Sequence, residues 1–328
     1  MLRNFKWLSL AIICVAMFAA KTLAEEDAKP PFVGRHSSDS YSFSLGDRKI
    51  FSYHTKTDGG FPYVHPLCTP DGTLLTEMAP SDHTWHRAVW FSWKFLQYES
   101  PAAGDAPAKL NRVNFWDWAQ TKTGKPEGQT RPTGQGRHKA SPNSYDRDMK
   151  IDYLHGDKLL IEEQRRVHVE FPRPDGSYAM DWTMTFTAKD TDITFERTHP
   201  KDKPWGGYGG FSYRANNAMK NQIVIDSEGR KGKEGHGKPA KWADFSGEVD
   251  GKAVGVAIFD HPDNPRHPTP WYVATGKMGY LNPAFLFHEP FTLPAGKSFT
   301  LKYRMLVHTG LGDPENLKKA YKAYAATK

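Results

Sequence analysis

Apolar and polar residues alternate with a period of two along much of this chain. The pattern is clearest over residues 299–307 and repeats over residues 182–186 and 167–171. Such alternation is typical of half-buried antiparallel strands, because successive side chains of a strand point to opposite faces. Residues 253–259 are apolar at nearly every position, which predicts a central strand that is buried on both faces.

Turn signals separate these runs. Pro174-Asp175-Gly176 stands between two strand patterns and predicts a hairpin. Strand patterns continue from about residue 41 to residue 308, with no convincing helical stretch between them. We therefore predict an all-β fold, a large antiparallel β-sandwich formed as a single domain over residues 41–328.

One helix is predicted near the C-terminus, over residues 313–326. Asp313 suits the capping position and Pro314 suits the first helical position. The apolar stripe of this helix consists of Leu317, Ala320, Tyr321 and Tyr324. A single stripe of this kind predicts that the helix lies against the sandwich and closes it.

The start of the chain predicts export. Two basic residues, Arg3 and Lys6, precede a mostly apolar run, and small residues stand at the cleavage positions before Glu25. We expect a secretory signal peptide over residues 1–24, and therefore a periplasmic or secreted protein. Residues 25–40 are polar and contain proline, and we expect them to form a flexible lead. No later apolar run is long enough to predict a membrane span.

The cysteine content and the charge of the chain narrow the classes of protein and of binding partner to consider. Cleavage would remove Cys14 and leave Cys68, so no internal disulfide is expected. The net charge is +7, of which three positive charges fall in residues 1–24. The other basic residues are scattered among acidic ones, which does not favour nucleic acid as a partner.

Residues 80–90, here called the first histidine segment, combine groups that rarely fill a core. They include Asp82, His83, His86, Arg87 and Trp90. The two histidines would share a face only on a helical turn, and a strand pattern follows them. Burying an acid, two imidazoles and a guanidinium together is costly, which favours a site at a strand end. The alternative is structural: a capped turn, bonded histidines and a tryptophan in the core.

Residues 259–271, here called the second histidine segment, have a similar composition but contain four prolines. A stiff loop of this kind can hold Asp260, His261, Asn264 and Arg266 with little entropy left to lose on binding, and Trp271 ends it. The alternative is a rigid corner between two strands, whose polar side chains bond the loop backbone.

Candidates outside the two segments are fewer. His65 lies upstream of the first segment, and Glu289 ends a strand pattern where it could act as a base. Trp116 and Trp118 could stack on a sugar ring, although core packing is the commoner role of tryptophan.

Several motifs carry a family resemblance. They are His65-Pro66, Pro70-Asp71-Gly72, Asp82-His83-x-x-His86-Arg87 with Trp90, Asp260-His261-Pro262, Asn264-Pro265-Arg266 and Pro268-Thr269-Pro270-Trp271. With them the chain, from roughly residue 45 to residue 310, resembles the PmoA-like family of uncharacterised exported bacterial proteins. Two positions depart from that family's pattern: Thr84-Trp85 stands where Pro-His is expected, and Ala88 stands where Gly is expected. The first departure removes an imidazole and weakens the case for a metal site.

The resemblance implies a mutarotase-like supersandwich, a β-sandwich like that of sugar mutarotases and related carbohydrate enzymes. The label of methane oxygenase, often given to the family, does not fit this sequence. Subunits of that name are embedded in membranes, whereas no span is predicted here. The resemblance implies no particular reaction.

The first hypothesis is an exported carbohydrate-active enzyme that acts on a sugar or glycan by acid–base chemistry. His86 would act with His83 or Glu289, since imidazoles transfer protons readily near neutral pH. Mutarotation, hydrolysis and lyase chemistry all stay open, and Asp82 with Asp260 is the carboxylate pair to test for hydrolysis. The residues expected to contact the sugar are His65, Arg87, Trp90, His261, Asn264, Arg266 and Trp271.

Two alternatives stay open. A non-catalytic carbohydrate-binding protein would use the same contacts, and a metalloenzyme would use His65, His83, His86 and Asp260 as ligands. No cofactor is predicted, with a divalent metal left open, and the expected partner is a sugar or oligosaccharide. The enzyme hypothesis further expects the two histidine segments to meet in one exposed hollow.

Overall fold

The computed structural model describes residues 32–37, 39–55, 60–102, 107–117, 127–133, 136–141, 144–170, 172–173 and 175–327. The predicted signal peptide and Trp118 lie outside the described residues. The strands are β1 (Phe32–His36), β2 (Ser40–Leu45), β3 (Arg48–His54), β4 (Tyr63–Leu67), β5 (Val89–Ser92), β6 (Phe95–Ser100), β7 (Lys109–Asn114), β8 (Gly128–Thr133), β9 (His138–Ser141), β10 (Ser144–His155), β11 (Lys158–Glu170), β12 (Tyr178–Ala188), β13 (Ile193–Glu196), β14 (Gly210–Arg214), β15 (Lys220–Asp226), β16 (Trp242–Val249), β17 (Lys252–Asp260), β18 (Trp271–Ala274), β19 (Tyr280–Pro283), β20 (Phe291–Leu293) and β21 (Ser298–Thr309). The helices are α1 (Pro314–Ala325) and two short 3-10 turns, Gly232–Gly235 and Gly276–Met278.

Within the described residues these strands form three sheets. An eight-stranded sheet has the order β1-β2-β3-β4-β5-β14-β19-β18, and a nine-stranded sheet has the order β15-β16-β17-β21-β12-β11-β10-β8, with β9 paired to β10. A four-stranded sheet has the order β20-β13-β6-β7. All the strand pairings seen in the described ranges are antiparallel, which confirms the predicted all-β class.

The two large sheets pack face to face around the main core. Rings from opposite sheets meet there: the centroids of Phe211 and Tyr303 are 5.5 Å apart, and those of Phe91 and Phe186 are 5.2 Å apart. Apolar side chains of this kind bury large areas and dominate the energetics of a core. The β-sandwich predicted from alternation is therefore confirmed.

The predicted hairpin and helix are both present. Strands β11 and β12 pair across the Asp175-Gly176 turn, where the Gly176 N–H donates to the Arg173 carbonyl over 3.0 Å. Asp313 caps α1 by accepting from the Asn316 N–H over 2.8 Å. The buried side chains of α1 pack on the outer face of the nine-stranded sheet, against Ala257, Phe259 and Leu306 among others.

The predicted flexible lead differs from the structure in its last residues. Residues 32–36 form β1, which pairs with residues 41–45 of β2 at the edge of the eight-stranded sheet. An edge strand presents a row of unpaired backbone groups, and a neighbouring segment that contains Phe and Val readily adds to it.

The outer face of the eight-stranded sheet is also covered by apolar side chains. Phe91 of β5 and Phe211 and Tyr213 of β14 point into the main core. Because successive side chains of a strand point to opposite faces, Trp90 and Arg214 lie on the outer face. A second apolar cluster covers that outer side. This outer aromatic cluster consists of Phe61, Trp90, Trp116, Tyr208, Tyr272, Tyr280, Ala284 and Phe287, with Tyr63, Trp85, Ala274 and Met278 packed against it.

Across the described ranges, no helix is both long enough and apolar enough to cross a membrane.

Candidate functional site

The first histidine segment forms a turn that lies over the outer aromatic cluster. The His83 N–H donates to the Pro80 carbonyl, and the His86 N–H donates to the His83 carbonyl, each over 2.9 Å. Ala88 then takes a left-handed conformation with φ of 63° before β5 begins. Because glycine adopts that conformation most easily, the geometry explains why glycine is the residue expected at position 88. The turn brings both imidazoles to one side, with ring centroids 4.6 Å apart, which is the arrangement that the spacing allows only on a turn.

Asp82 joins this turn to the sheet. Both of its carboxylate oxygens lie 3.2 Å from Arg214 Nη2, and Oδ2 lies 3.0 Å from His83 Nδ1. The Arg214 side chain has no exposed surface, whereas Asp82 is 44% exposed. Burial raises the pKa of Asp82, but the bond to His83 and the charge of Arg214 outweigh it and lower that pKa below its ordinary value. Asp82 is therefore a carboxylate at neutral pH that holds His83 in place.

His86 is the most deeply placed imidazole of the segment, with 1% of its surface exposed. Its ring lies 4.6 Å from that of His83, 5.4 Å from that of Tyr280 and 5.0 Å from that of Trp90. Burial lowers the pKa of His86 well below its ordinary value, and the nearby charges of His83 and Arg214 lower it further. His86 is therefore neutral at pH 7, with one nitrogen that donates and one that accepts.

Several buried nitrogens around His86 have no hydrogen-bond partner among the described residues. We call them the unmatched nitrogens: both ring nitrogens of His86, Nε and Nη1 of Arg214, and Nε1 of Trp85, Trp90 and Trp116. Buried polar groups are nearly always bonded, and leaving one unbonded costs about 1–3 kcal/mol. Their concentration in one cluster makes this cluster the candidate site of the protein.

A buried lysine lies beside the same cluster. Lys94 follows β5 and donates to Tyr208 Oη over 2.7 Å, and its Nζ lies 3.5 Å from Asp117 Oδ2. The ammonium also lies 5.3 Å from the ring of Trp205. Burial lowers the pKa of Lys94 to about 8, and the neighbouring Asp117 carboxylate opposes part of that change. Lysines with such perturbed pKa values concentrate at functional sites.

The other predicted residues near the first segment have more ordinary contacts. His65 lies on β4, with Nδ1 3.0 Å from Thr76 Oγ1. Arg87 donates to the Thr84 carbonyl over 2.7 Å. Trp90 is buried in the outer aromatic cluster, 5.4 Å from Trp116. The structure thus brings Asp82, His83, His86 and Trp90 together.

The second histidine segment is bonded to itself and to its surroundings. Buried Asp260 accepts from Asn264 Nδ2 and His267 Nδ1 over 2.7 Å each, and from the Thr269 N–H over 2.9 Å. Asn264 also bonds the Lys302 backbone in both directions. Burial raises the pKa of Asp260 even though these donors stabilise its charge. The arrangement is that of a hydrogen-bonded corner between β17 and β18.

The remaining predicted residues of this region bond backbone. Arg266 donates to the carbonyls of Phe285, Glu289 and Pro290 over 2.7–3.1 Å, and its guanidinium lies 3.2 Å from Glu289 Oε1. His261 Nε2 lies 3.2 Å from the Thr327 carbonyl oxygen. Trp271 is buried in the main core and donates to the Ala240 carbonyl over 2.9 Å.

The two segments therefore belong to separate networks. The first contacts the outer aromatic cluster, whereas Phe259 of the second packs with Tyr321 and Tyr324 of α1. Among the residues that the structure describes, the contacts do not support the expectation that the two segments meet in one exposed hollow. The same part of the chain holds no group of three or more His, Cys, Asp or Glu side chains that could bind a metal ion. The ligand set proposed from the sequence, His65, His83, His86 and Asp260, is therefore not brought together as a metal site.

The sequence matches DUF6807, described as a family of unknown function, over residues 40–322. The chain belongs to the DUF6807 family. Both histidine segments fall inside the matched range of this DUF6807 protein. No curated protein matches it in sequence.

Solved structures give more distant likenesses to the DUF6807 chain. A galactose 1-epimerase from Lactobacillus acidophilus NCFM is 8% identical with a TM-score of 0.37, over 85% of this chain and 98% of that chain. A galactose mutarotase-like protein from Lactobacillus casei ATCC 334 is 10% identical with a TM-score of 0.33, over 84% and 100%. A polysaccharide lyase is 10% identical with a TM-score of 0.30, over 89% and 34%.

Several site residues of this DUF6807 chain were missed by the sequence analysis. Arg214, Lys94, Tyr208 and Tyr280 come from strands or loops far apart in sequence, and only the sheet order brings them together. One signal was available: Arg214 is a charged residue in an otherwise apolar strand pattern. A charge at such a position is rarely buried without a paired partner or a function.

Proposed function

We propose that this protein is a carbohydrate-active enzyme that binds a sugar at the outer aromatic cluster and transfers protons on it. His86 is the proposed general base, and His83, held by Asp82, is the proposed general acid. The observation that carries the proposal is His86 itself. It is a neutral, buried imidazole whose two nitrogens have no partner in the described part of the chain.

A sugar suits the surroundings of His86 for two reasons. The partly exposed rings of Tyr63 and Trp85, which pack on the outer aromatic cluster, offer apolar faces against which the C–H face of a pyranose can pack. The unmatched nitrogens supply donors for its hydroxyl oxygens. Apolar walls with a few fixed polar groups are the usual makeup of a small-molecule site.

Proton transfer suits the two imidazoles. A neutral imidazole accepts a proton near pH 7, and a second imidazole beside a carboxylate can donate one. In the simplest such reaction His86 takes the proton of the anomeric hydroxyl while the bond between C1 and the ring oxygen breaks. His83 protonates that oxygen. After rotation about the C1–C2 bond the hydroxyl attacks C1 and returns its proton to His83, while His86 returns its proton to the carbonyl oxygen, which gives the other anomer. Only an acid and a base are needed, so anomer interconversion is the first reaction to assay.

Hydrolysis by paired carboxylates has less support. Such a mechanism needs two carboxyl groups that flank one glycosidic bond. Asp82 lies against Arg214 and His83, whereas Asp260 is buried and accepts three hydrogen bonds in another network. The proposal therefore rests on the imidazoles.

The experiment compares His86→Gln with the wild-type protein. Anomer interconversion is followed by polarimetry on pure anomers of neutral and acidic monosaccharides, and elimination and hydrolysis are followed on their oligosaccharides. We expect His86→Gln to lower turnover by about 10²- to 10⁴-fold, the usual contribution of a general acid or base. The matched control is His288→Gln, because the His288 side chain is exposed and should leave turnover unchanged.

Two results would overturn this assignment. Saccharide binding without any turnover, unaffected by His86→Gln, would establish the non-catalytic binding protein instead. Failure of every saccharide in the panel to bind would remove carbohydrate as the ligand. Full turnover after chelation is expected, because the proposed proton transfer needs no metal.

The proposal includes export and a family assignment. Residues 1–24 have the pattern of a signal peptide, and the motifs given above resemble the PmoA-like family. N-terminal sequencing of protein from the periplasmic or secreted fraction tests export. A mature chain that begins at Glu25 is expected, and a retained Met1 would contradict it.

A further inference from the structure

Trp205 is an exposed tryptophan beside the candidate site. It is 44% exposed, and it is one of four large hydrophobic residues in the described ranges that stand out from the surface. Its ring lies 6.4 Å from that of Tyr208, which belongs to the outer aromatic cluster. Scattered exposed apolar residues are normal, but a tryptophan that continues a functional cluster marks a contact surface.

The loop that carries Trp205 is held rigidly. The Gly206 N–H donates to the Lys203 carbonyl and the Gly207 N–H to the Thr198 carbonyl, each over 2.8 Å. Gly207 has φ of 105°, and a Cβ atom there would lie 2.7 Å from the ring of Phe287. The close approach that fixes the loop thus requires glycine. A preorganised platform loses little entropy when a ligand binds to it.

Aromatic rings connect Trp205 to His86 without a break. From His86 the chain of neighbours leads to Trp116 over 6.5 Å, then to Tyr208 over 5.4 Å, and then to Trp205. Polar groups accompany the far end: Lys94 lies 5.3 Å from the Trp205 ring and 3.5 Å from Asp117. Trp116 and Tyr208 are buried, so this path of packed rings lies beneath the surface and supports the exposed ring of Trp205, which stands beside a cation and a carboxylate.

We propose that Trp205, with Lys94 and Asp117 beside it, forms an outer subsite for a second sugar ring, so that the ligand is an oligosaccharide. This inference rests on the proposed function, because the inner ring would occupy the surroundings of His86. The outer ring would stack on Trp205, and its hydroxyls would meet the Asp117 carboxylate, which is 14% exposed and is held by the buried Lys94.

The experiment measures chain-length preference by isothermal titration calorimetry. The probes are glucose, galactose, mannose and xylose, each with its β-1,4-linked disaccharide and trisaccharide. In the wild-type protein we expect the preferred disaccharide to bind about tenfold more tightly than its monosaccharide, the value of one good ring contact. Trp205→Ala should remove most of that gain and change monosaccharide affinity by less than about twofold. Trp205→Phe should restore part of it.

Leu311→Ala is the matched control, since Leu311 is 50% exposed and lies next to α1. Equal affinity of the wild-type protein for one ring and two rings would overturn the subsite. The subsite would also be overturned if Trp205→Ala weakened the binding of monosaccharide and disaccharide equally, or changed the binding of neither. Self-association that Trp205→Ala abolishes would assign the ring to a protein contact instead. Monosaccharide binding and the turnover of His86→Gln report on the proposed function separately, so the two failures are distinguishable.

Discussion

The two histidine segments contain nearly the same residue types and use them in opposite ways. In the second segment Asp260 accepts three hydrogen bonds, and Arg266 donates to three backbone carbonyls. In the first segment both ring nitrogens of His86, like Nε and Nη1 of the nearby Arg214, have no partner in the described ranges. The network around Asp260 and Arg266 is bonded within the protein, with Thr269 Oγ1 as its one buried atom that has no partner in the described ranges, whereas the network around His86 leaves several such atoms.

This difference separates structural polar residues from functional ones better than composition does. A buried network that is fully bonded rigidifies the fold, whereas one with open donors and acceptors loses free energy until something binds. The second segment fits the corner between β17 and β18, and α1 packs next to it. The first segment is the one at which we propose that a ligand binds. The two should therefore respond to mutation through different measurements, stability for one and turnover or binding for the other.

The largest expected effect is on stability, at Asp260. Asp260→Ala would leave Asn264, His267 and the Thr269 N–H without their buried acceptor. We expect the free energy of unfolding to fall by about 3 kcal/mol or more, because one partner of a buried charged network is removed. Urea denaturation measures this loss.

Asp263→Ala is the control for that experiment. Asp263 is 61% exposed and lies 2.7 Å from Lys302 Nζ, and exposed ion pairs contribute little to stability, so its loss should cost far less than the loss of Asp260. If the two aspartates cost the same, the second segment is not the buried structural network described here.

A histidine exchange tests the same contrast through function. His267→Gln removes the imidazole that bonds Asp260, and we expect a loss of about 1–2 kcal/mol in unfolding free energy with turnover unchanged. His86→Gln should show the reverse, with lost turnover and a smaller change in stability. Denaturation and saccharide turnover are measured on both variants. Loss of turnover in His267→Gln at full folding would bring the second segment back into the site.

The pH dependence of activity gives a third test. Burial lowers the pKa of His86, so the imidazole stays neutral to lower pH than a free histidine, whose pKa is about 6.5. We therefore expect the acidic limb of kcat/KM to lie below pH 6.5, since this parameter reports the pKa of the free enzyme's base. The same sign holds for stability: His86 favours the folded state above about pH 6.5, and that contribution is lost as the pH falls toward its folded pKa. An acidic limb above pH 6.5 would exclude His86 as the base.

The fold was predictable from the sequence because burial follows strand periodicity. Alternation over residues 299–307 and 182–186 identified β21 and β12, and the Asp313-Pro314 signal identified α1 to within a residue. Residues 32–36 were missed because an edge strand is stabilised by the neighbour that it joins, and single-strand patterns carry no information on neighbours.

The candidate site was predictable only in part. The sequence identified Asp82, His83 and His86 as one candidate group because they are local in sequence, but their spacing alone did not decide between a strand and a turn. Arg214 was missed because its role depends on β14 pairing with β5, and these two strands are more than a hundred residues apart in sequence. The relation between the two segments also depends on sheet order. Composition alone could not separate a bonded corner from an open cluster, because both need the same polar residue types.

The smallest expected effect compares Trp90 with Trp271, two buried tryptophans of the two segments. Replacing either by Phe leaves a similar gap, but only Trp271→Phe breaks a hydrogen bond that the structure describes, to the Ala240 carbonyl. We expect Trp271→Phe to cost about 1 kcal/mol more than Trp90→Phe in unfolding free energy. The two variants should rank in the opposite order for saccharide affinity. Trp90→Phe should weaken binding by about two- to tenfold, because the site loses an N–H donor to the saccharide. Equal stability costs and unchanged affinity in both variants would mean that the Trp90 N–H is satisfied within the protein. The first segment would then be as complete as the second, and the contrast on which the proposed function rests would disappear.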